Sequence, residues 1–348
     1  RTDSPIDIKA LFYFPERHLE KYGMGRTDPG VSLYCRKVLI QPKSKLVLPD
    51  WLRFVKGVVD SEDIPLNISR ENMQDSQLIQ RINNVLTKKI IKFLADQSKH
   101  DPEKYGAFWK EFGQFFKEGV CGDFVHKADI AQLLRFDTSL GENQECSLDD
   151  YISRMPLDQK NIYYLSAPNR SFALSSPYFE QFDKSGTEVL FLYHAVDDFV
   201  MKTLEKYNKR PLVSIESADV KKSAEDTKAD ESLDESEKEK RKVHAESVVA
   251  FFNDILKEKV LSVKATERLS SSPAIVVDHE SGAVRKMLSY LDANRVSSLP
   301  KQKLEVNPRH PTVMHVMSLK DSKPDLAKMI VEQVYDNALI AADLLDNP

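Results

Sequence analysis

Residues 218–242, ADVKKSAEDTKADESLDESEKEKRK, carry nine acidic and seven basic side chains in 25 positions. Such a run cannot enter a core, because each charge taken out of water without a partner costs several kcal/mol. It belongs in solvent, as a linker or as the exposed start of a helix, and it marks the strongest candidate domain boundary. The chain around it is long enough for real cores, since 348 residues correspond to roughly two to three domains at about 150 residues each.

Upstream of that run, IKALFYF and VSLYCRKVLI have the β-branched and aromatic content of two early strands, the first closed by FPER. Apolar residues then recur with helical period at Leu78, Ile79, Ile82, Val85, Leu86, Ile90, Phe93 and Leu94. A second helix is predicted after Asp101-Pro102, an N-cap and first-turn pair. Its stripe of Tyr105, Phe108, Trp109, Phe112, Phe115 and Phe116 is either a core face packed on a sheet or a grip for unfolded peptide. From residue 147, SLDD reads as a capping box. NIYYLSAP, TEVLFLYH and RPLVSIES then read as buried strands alternating with the helical candidates FALSSPYFEQF and DDFVMKTLEKY. That alternation predicts a small parallel sheet with right-handed crossovers.

Downstream, Val243, Val248, Val249, Phe252, Ile255 and Leu256 form an amphipathic pattern, and LSVKATERL and PAIVVDHE read as strands. The last helix carries Leu326, Ile330, Val334, Ala338, Ala341 and Leu345 along one face, widened by Met329 and Leu339. A stripe that wide suits an intermolecular bundle as well as an internal core.

Several function classes are disfavoured. The net charge of -4 lacks the basic excess of a nucleic-acid binder. No apolar run approaches the roughly 18 residues of a membrane span, and the opening RTDSPIDIKALFYF has no signal-peptide pattern. Cys35, Cys121 and Cys146 are odd in number and widely spaced, which favours a reducing compartment over a disulfide or zinc framework. The histidines are scattered without HExxH, so no metal site is expected. GxSxG, GxGxxG and GxxxxGK[ST] are all missing. Opening on Arg1 and stopping at Pro348 directly after a helix-like segment, the chain reads as a fragment.

One stretch advertises chemistry. In DSEDIPLNISR, Asp60, Glu62 and Asp63 precede Pro65, and Asn67 or Ser69 can cap a helix ahead. The loop therefore delivers Arg70 to a helix start, where a cation opposes the positive end of the macrodipole. Arg70 is solvated, paired with one of the three carboxylates, or waiting for an anion.

The longer segment GVVDSEDIPLNISRE (57–71), with LPDWLRFVK (48–56) before it, closely resembles the middle domain of the ninety-kilodalton heat-shock protein chaperones. The resemblance continues through LYCRKVLIQ, NIYYLSAPNR, SPYFEQF and LEVNPRHP and so covers nearly the whole chain. RKVLIQ, IYYLSAPNR and the closing AADLLDNP look most like the family's mitochondrial member, making the mitochondrial matrix the first expectation for compartment and the cytoplasm the alternative.

The fold class this implies is α/β and α+β: an α/β/α-layered middle domain in two subdomains, followed by an α+β C-terminal dimerisation domain. The expected divisions are a large middle subdomain at 1–125, a small α/β subdomain at 126–217, the charged linker at 218–242 and a truncated C-terminal domain at 243–348.

In the family, ATP with Mg is bound mainly by an N-terminal domain, so none is expected on this piece alone. The arginine of NxSRE reaches the terminal phosphate and a glutamine four residues later assists, roles that fall on Arg70 and Gln74 as catalytic residues. Asn72 departs from the aliphatic or Met residue usual there. AVRKMLSYL (283–291) falls where the family contacts clients, making Met287, Leu288 and Leu291 client-binding candidates that can equally be buried within the domain. The stripe from Leu326 to Leu345 becomes the homodimer contact, weakened because the family's further closing helix lies beyond Pro348. Expected partners are the protein's own N-terminal domain, clients and a second copy, with no nucleic acid and no membrane span. Two rival readings are a client-binding scaffold with no nucleotide cycle and a transducer domain of another ATPase, where lysine commonly replaces the arginine.

Overall fold

The computed structural model describes residues 7–23, 25–64, 77–218, 235–282, 284–285 and 299–345. The chain is mixed α/β and divides into two compact units, Arg1–Arg135 with Ser147–Asp149, and Phe136–Cys146 with Asp150–Pro348.

The first unit is built on a sheet of β1 (Ile8–Tyr13), β2 (Gly30–Cys35), β3 (Val38–Gln41) and β4 (Lys56–Ser61), in the order β1-β4-β2-β3. VSLYCRKVLI was expected as one strand and is two, paired antiparallel around a turn at Arg36 and Lys37. Both turn residues have positive φ, 47° and 66°, the handedness that tight hairpin turns need to match strand twist. Val31, Leu33 and Cys35 alternate inward along β2, so one face of the sheet is core.

The same unit holds α1 (Gln77–His100) and α2 (Pro102–Gly122), which pack against each other. Ile79, Ile82, Leu86, Ile90 and Leu94 are buried as the period requires, whereas Phe93 is half exposed. Asp101 caps α2 through the Lys104 amide. The aromatic stripe is a core face: Phe112 and Phe115 pack at 4.7 and 4.9 Å from the Phe54 ring. Gly119 lets Trp51 approach, since a Cβ there would lie 2.8 Å from the indole. A short α3 (Lys127–Ala131) follows, its Ile130 fully buried.

Arg53, only 6% exposed, sits inside this unit. Its Nε and Nη2 donate to both Glu20 oxygens at 2.8 Å, Nη2 also reaches Glu118 at 2.8 Å, and the guanidinium lies 4.6 Å from the Phe115 ring centre. The Arg53 hydrogen bonds hold the Glu20 carboxyl at about 2. A depressed carboxyl stabilises the fold above its unfolded pKa, and that contribution is lost as pH falls toward 2.

The second unit contains a six-stranded sheet of order β6-β5-β8-β7-β10-β9, and α4 (Leu148–Arg154) follows β6 in the chain. Its members are β5 (Phe136–Thr138), β6 (Gly141–Cys146), β7 (Ile162–Ser166), β8 (Leu190–Leu192), β9 (Lys206–Tyr207) and β10 (Arg210–Ser214). β7, β8 and β10 are the parallel set expected, and the β5–β6 hairpin and β9 extend it antiparallel. FALSSPYFEQF, expected as one helix, is broken into α5 (Arg170–Leu174) and α6 (Glu180–Lys184) around Pro177, which disfavours helix at the residue before it. α7 (Ala195–Leu204) follows β8.

Residues 219–234 lie outside the described set, and α8 (Glu235–Leu256) begins with the exposed remainder of the charged run. A three-stranded sheet, β11 (Val260–Ala265), β12 (Ala274–Val277) and β13 (Gln302–Val306), has order β11-β13-β12 and is joined by α9 (Pro311–Leu319) and α10 (Pro324–Ala341). One apolar core takes in Phe179, Phe191 and Ile215 together with Val248, Phe252, Ile275, Val306, Val331 and Tyr335. Segments on either side of the charged run therefore share a core.

Arg53→Met is expected to lower the unfolding free energy by about 3 kcal/mol in urea titrations, because among the described residues it leaves half-buried Glu20 with only the Thr27 amide and half-buried Glu118 with only the exposed Arg26. Adding Glu20→Gln should recover part of that loss, and a single variant within about 0.5 kcal/mol of wild type would show the network to be idle.

Candidate functional site

β4 lies between β1 and β2, hydrogen-bonded antiparallel to the first and parallel to the second. Its carboxyl end runs directly into the segment that sequence reading singled out. Ile64, 2% exposed, is in the core, and its carbonyl accepts from the buried Cys35 Sγ at 2.8 Å. On the far side α1 begins at Gln77, with Ile79 and Ile82 buried. The described residues flanking 65–76 are thus fixed, Ile64 in the core after β4 and Gln77 at the start of α1.

The two residues proposed for catalysis, Arg70 and Gln74, fall between those anchors and lie outside the described residues. The three carboxylates that could have served Arg70 as counterions are described, and each has another partner. Asp60 accepts from the Lys37 amide at 3.3 Å, Glu62 pairs with Lys9 at 3.1 Å, and Asp63 accepts from the Asp7 amide at 2.9 Å. The acidic cluster closes the β1–β4 edge and the β2–β3 turn.

The client-binding candidates Met287, Leu288 and Leu291 are also outside the described residues. The approach to them is anchored: Val284 is buried, and Arg285 Nη1 donates to the Leu344 carbonyl at 3.3 Å. The proposed dimer stripe divides. Val334 and Ala338 are buried in the core of their own chain, Ile330, Ala341 and Leu345 are half-buried, and Leu326 is exposed beside the exposed Met329. The residues that α10 buries most completely are Ala327 and Val331, one position round from the stripe.

Sequence reading missed the polar clasp that joins α6 to the loop between β11 and β12. Glu180 accepts from the Ser270 and Ser271 amides and from the hydroxyls of Ser270, Ser271 and Ser272, at 2.6–3.1 Å. Burial alone would raise its pKa, but these donors outweigh burial and hold the carboxyl below the ordinary range. The run SSSP was the available signal, a turn rich in local donors. Also missed was Glu216, which burial pushes up while His279, at 3.6 Å, opposes the shift. Among the described residues no group of three or more His, Cys, Asp or Glu could hold a metal ion, and no helix is long and apolar enough to cross a membrane.

The Hsp90 protein family model matches residues 1–348. The chain belongs to that family. It is 46% identical over 352 residues to the TNF receptor-associated protein 1 homolog, mitochondrial, of Dictyostelium discoideum, covering 99% of this chain and 48% of that protein. It is 42% identical over 360 residues to bovine Heat shock protein 75 kDa, mitochondrial, with 100% and 50% covered. To Chaperone protein HtpG of Desulfitobacterium hafniense strain Y51 the identity is 40% over 352 residues, with 100% and 56% covered. The chain spans about half the length of the curated relatives it matches.

Ile64→Ala should cost about 3 kcal/mol by loss of buried side chain and cavity formation, and should raise hydrogen exchange at the end of β4. Asp63→Ala, which removes an exposed partner only, should stay within about 1 kcal/mol of wild type. Equal, small effects of both substitutions in denaturant titrations and exchange would remove Ile64 as the anchor.

Proposed function

We propose that this chain is the middle and C-terminal part of an ATP-dependent chaperone that acts on unfolded proteins during stress and protein folding. Its membership of the Hsp90 family along its full length carries this reading. On it, residues 1–125 and 126–217 form the two middle subdomains, 218–242 is the linker and 243–348 is the dimerisation domain. ATP with Mg, held mainly by the N-terminal domain, supplies the phosphoryl group whose transfer to water drives the cycle.

Arg70 enters from the β4–α1 loop toward the γ-phosphate, and Gln74 assists from the same loop. The engagement of Asp60, Glu62 and Asp63 by Lys37, Lys9 and Asp7 supports this, because none of the three depends on Arg70 for a partner. A guanidinium suits the role physically: it is permanently charged, and its planar fork of donors matches phosphate oxygens better than an ammonium. Its charge meets negative charge developing on the transferred group, so hydrolysis accelerates only when the two domains dock.

Met287, Leu288 and Leu291 contact clients, Met through a side chain that repacks against unlike partners. A second copy docks on α10, with exposed Leu326 and Met329 as the described part of that contact. The mitochondrial names of the Dictyostelium and bovine relatives favour the mitochondrial matrix, and the bacterial relatives keep the cytoplasm as the alternative.

In the intact protein, Arg70→Ala should slow single-turnover ATP hydrolysis by roughly 100-fold, about 2.7 kcal/mol of transition-state stabilisation, with ATP affinity measured separately and unchanged. Arg70→Lys should recover only part of the rate. An unaltered rate in the alanine variant would return the chain to the scaffold reading, in which clients are held without a nucleotide cycle.

A further inference from the structure

The second unit contains a cleft of about 250 Å³ whose lining includes Gln181, Lys184, Arg268, Ser270, Asn307 and Arg309. Two of these carry buried polar atoms with nothing to bond. Arg268 is 8% exposed; its Nη1 donates to the Ser217 carbonyl at 3.0 Å, and its Nε lies 2.9 Å from Glu305 Oε2. Its Nη2 makes no hydrogen bond among the described residues, and neither does Oε1 of Gln181, itself 7% exposed. A buried donor or acceptor left unmet is destabilising, and two lining one cleft call for a ligand that satisfies both.

The charges agree. Lys184 and Arg309 are exposed, and among the described residues neither side chain has an ion pair or hydrogen bond. The nearby acids are already engaged. Glu305 pairs with Arg268, Glu180 is held by the three serines, and Glu267, which also lines the cleft, has its own interaction. Two unpaired cations, Lys184 on α6 and Arg309 in the turn after β13, thus line the cleft together with the unbonded Nη2 of Arg268 in the loop after β11.

We propose that this cleft binds a small phosphate monoester, whose anionic oxygens accept from Arg268 Nη2, Arg309 and Lys184 while a hydroxyl of the ester donates to Gln181 Oε1. Three separate cationic donors suit a tetrahedral oxyanion with three free oxygens better than a planar carboxylate with two. The volume exceeds that of phosphate alone and leaves room for a short hydroxylated body. Occupancy would bridge α6 to the loops flanking β11 and β13, adding to the serine clasp beside it. The site is independent of the nucleotide proposed for the N-terminal domain.

The test titrates the 348-residue chain with inorganic phosphate and with glycerol 3-phosphate, followed by calorimetry and ³¹P line broadening, ionic strength being fixed with sodium chloride. Saturable binding is expected, tighter for glycerol 3-phosphate. The double variant Lys184→Gln/Arg309→Gln changes only exposed side chains and should weaken both ligands at least 10-fold with its circular dichroism unchanged. Gln181→Leu should abolish the preference for the ester. Binding that does not saturate, or that the double variant leaves intact, overturns the site. Glycerol 3-phosphate binding no tighter than inorganic phosphate overturns the ester assignment.

Discussion

The pairing of β4 on both edges is the constraint from which the organisation of the first unit follows. A strand bonded to β1 and β2 together cannot slip register without turning Val59 out of the core. Its carboxyl end is therefore fixed, and Ile64 carries that fixity three residues beyond the last paired residue. α1 then begins with a buried face, Ile79 and Ile82. The described residues on both sides of 65–76 are therefore set by packing.

Much of this was legible in the sequence, and the failures have physical causes. The α1 and α2 stripes are long and periodic, and Asp101-Pro102 sets the start of α2 by capping chemistry, so both helices could be read directly. The β2–β3 hairpin could not be, because Arg36 and Lys37 adopt the left-handed region where Gly or Asn would have announced a turn. The break between α5 and α6 was written in Pro177 and overlooked, since the surrounding apolar residues keep a helical period that tertiary packing uses in two pieces. At the candidate site, the sequence proposes Arg70 and Gln74, which lie outside the described residues, and gives no sign of the partners of the carboxylates. Lys9 and Lys37 are far from Asp60 and Glu62 in sequence and come near only through sheet pairing.

Two buried arginines illustrate how differently one side chain can be used. Arg53 faces Glu20 and Glu118 and lies over Phe115, so each direction of its guanidinium meets an acceptor or a π face. Desolvating that charge is expensive, and complete satisfaction by two carboxylates is what offsets it. Arg268 is comparably buried but is met on one side only, by Glu305 and two carbonyl groups. The difference lies in their surroundings: Arg53 is enclosed by aromatic core, whereas Arg268 lines a cleft.

The second unit raises the question of how a chain interrupted by sixteen charges keeps a common core on both sides. Apolar contact supplies area without direction, and would tolerate sliding of one sheet against the other. The directional contacts supply the register. Glu180 fills a turn of three serines, Tyr178 donates to the Val276 carbonyl, and Arg268 reaches back to Ile215 and Ser217. Each links a residue before the charged run to one after it, and each involves a group at least half desolvated, where a misplaced partner costs more than a missing one gains. All of these contacts are made by residues outside 218–242, so the alignment is defined without the charged run.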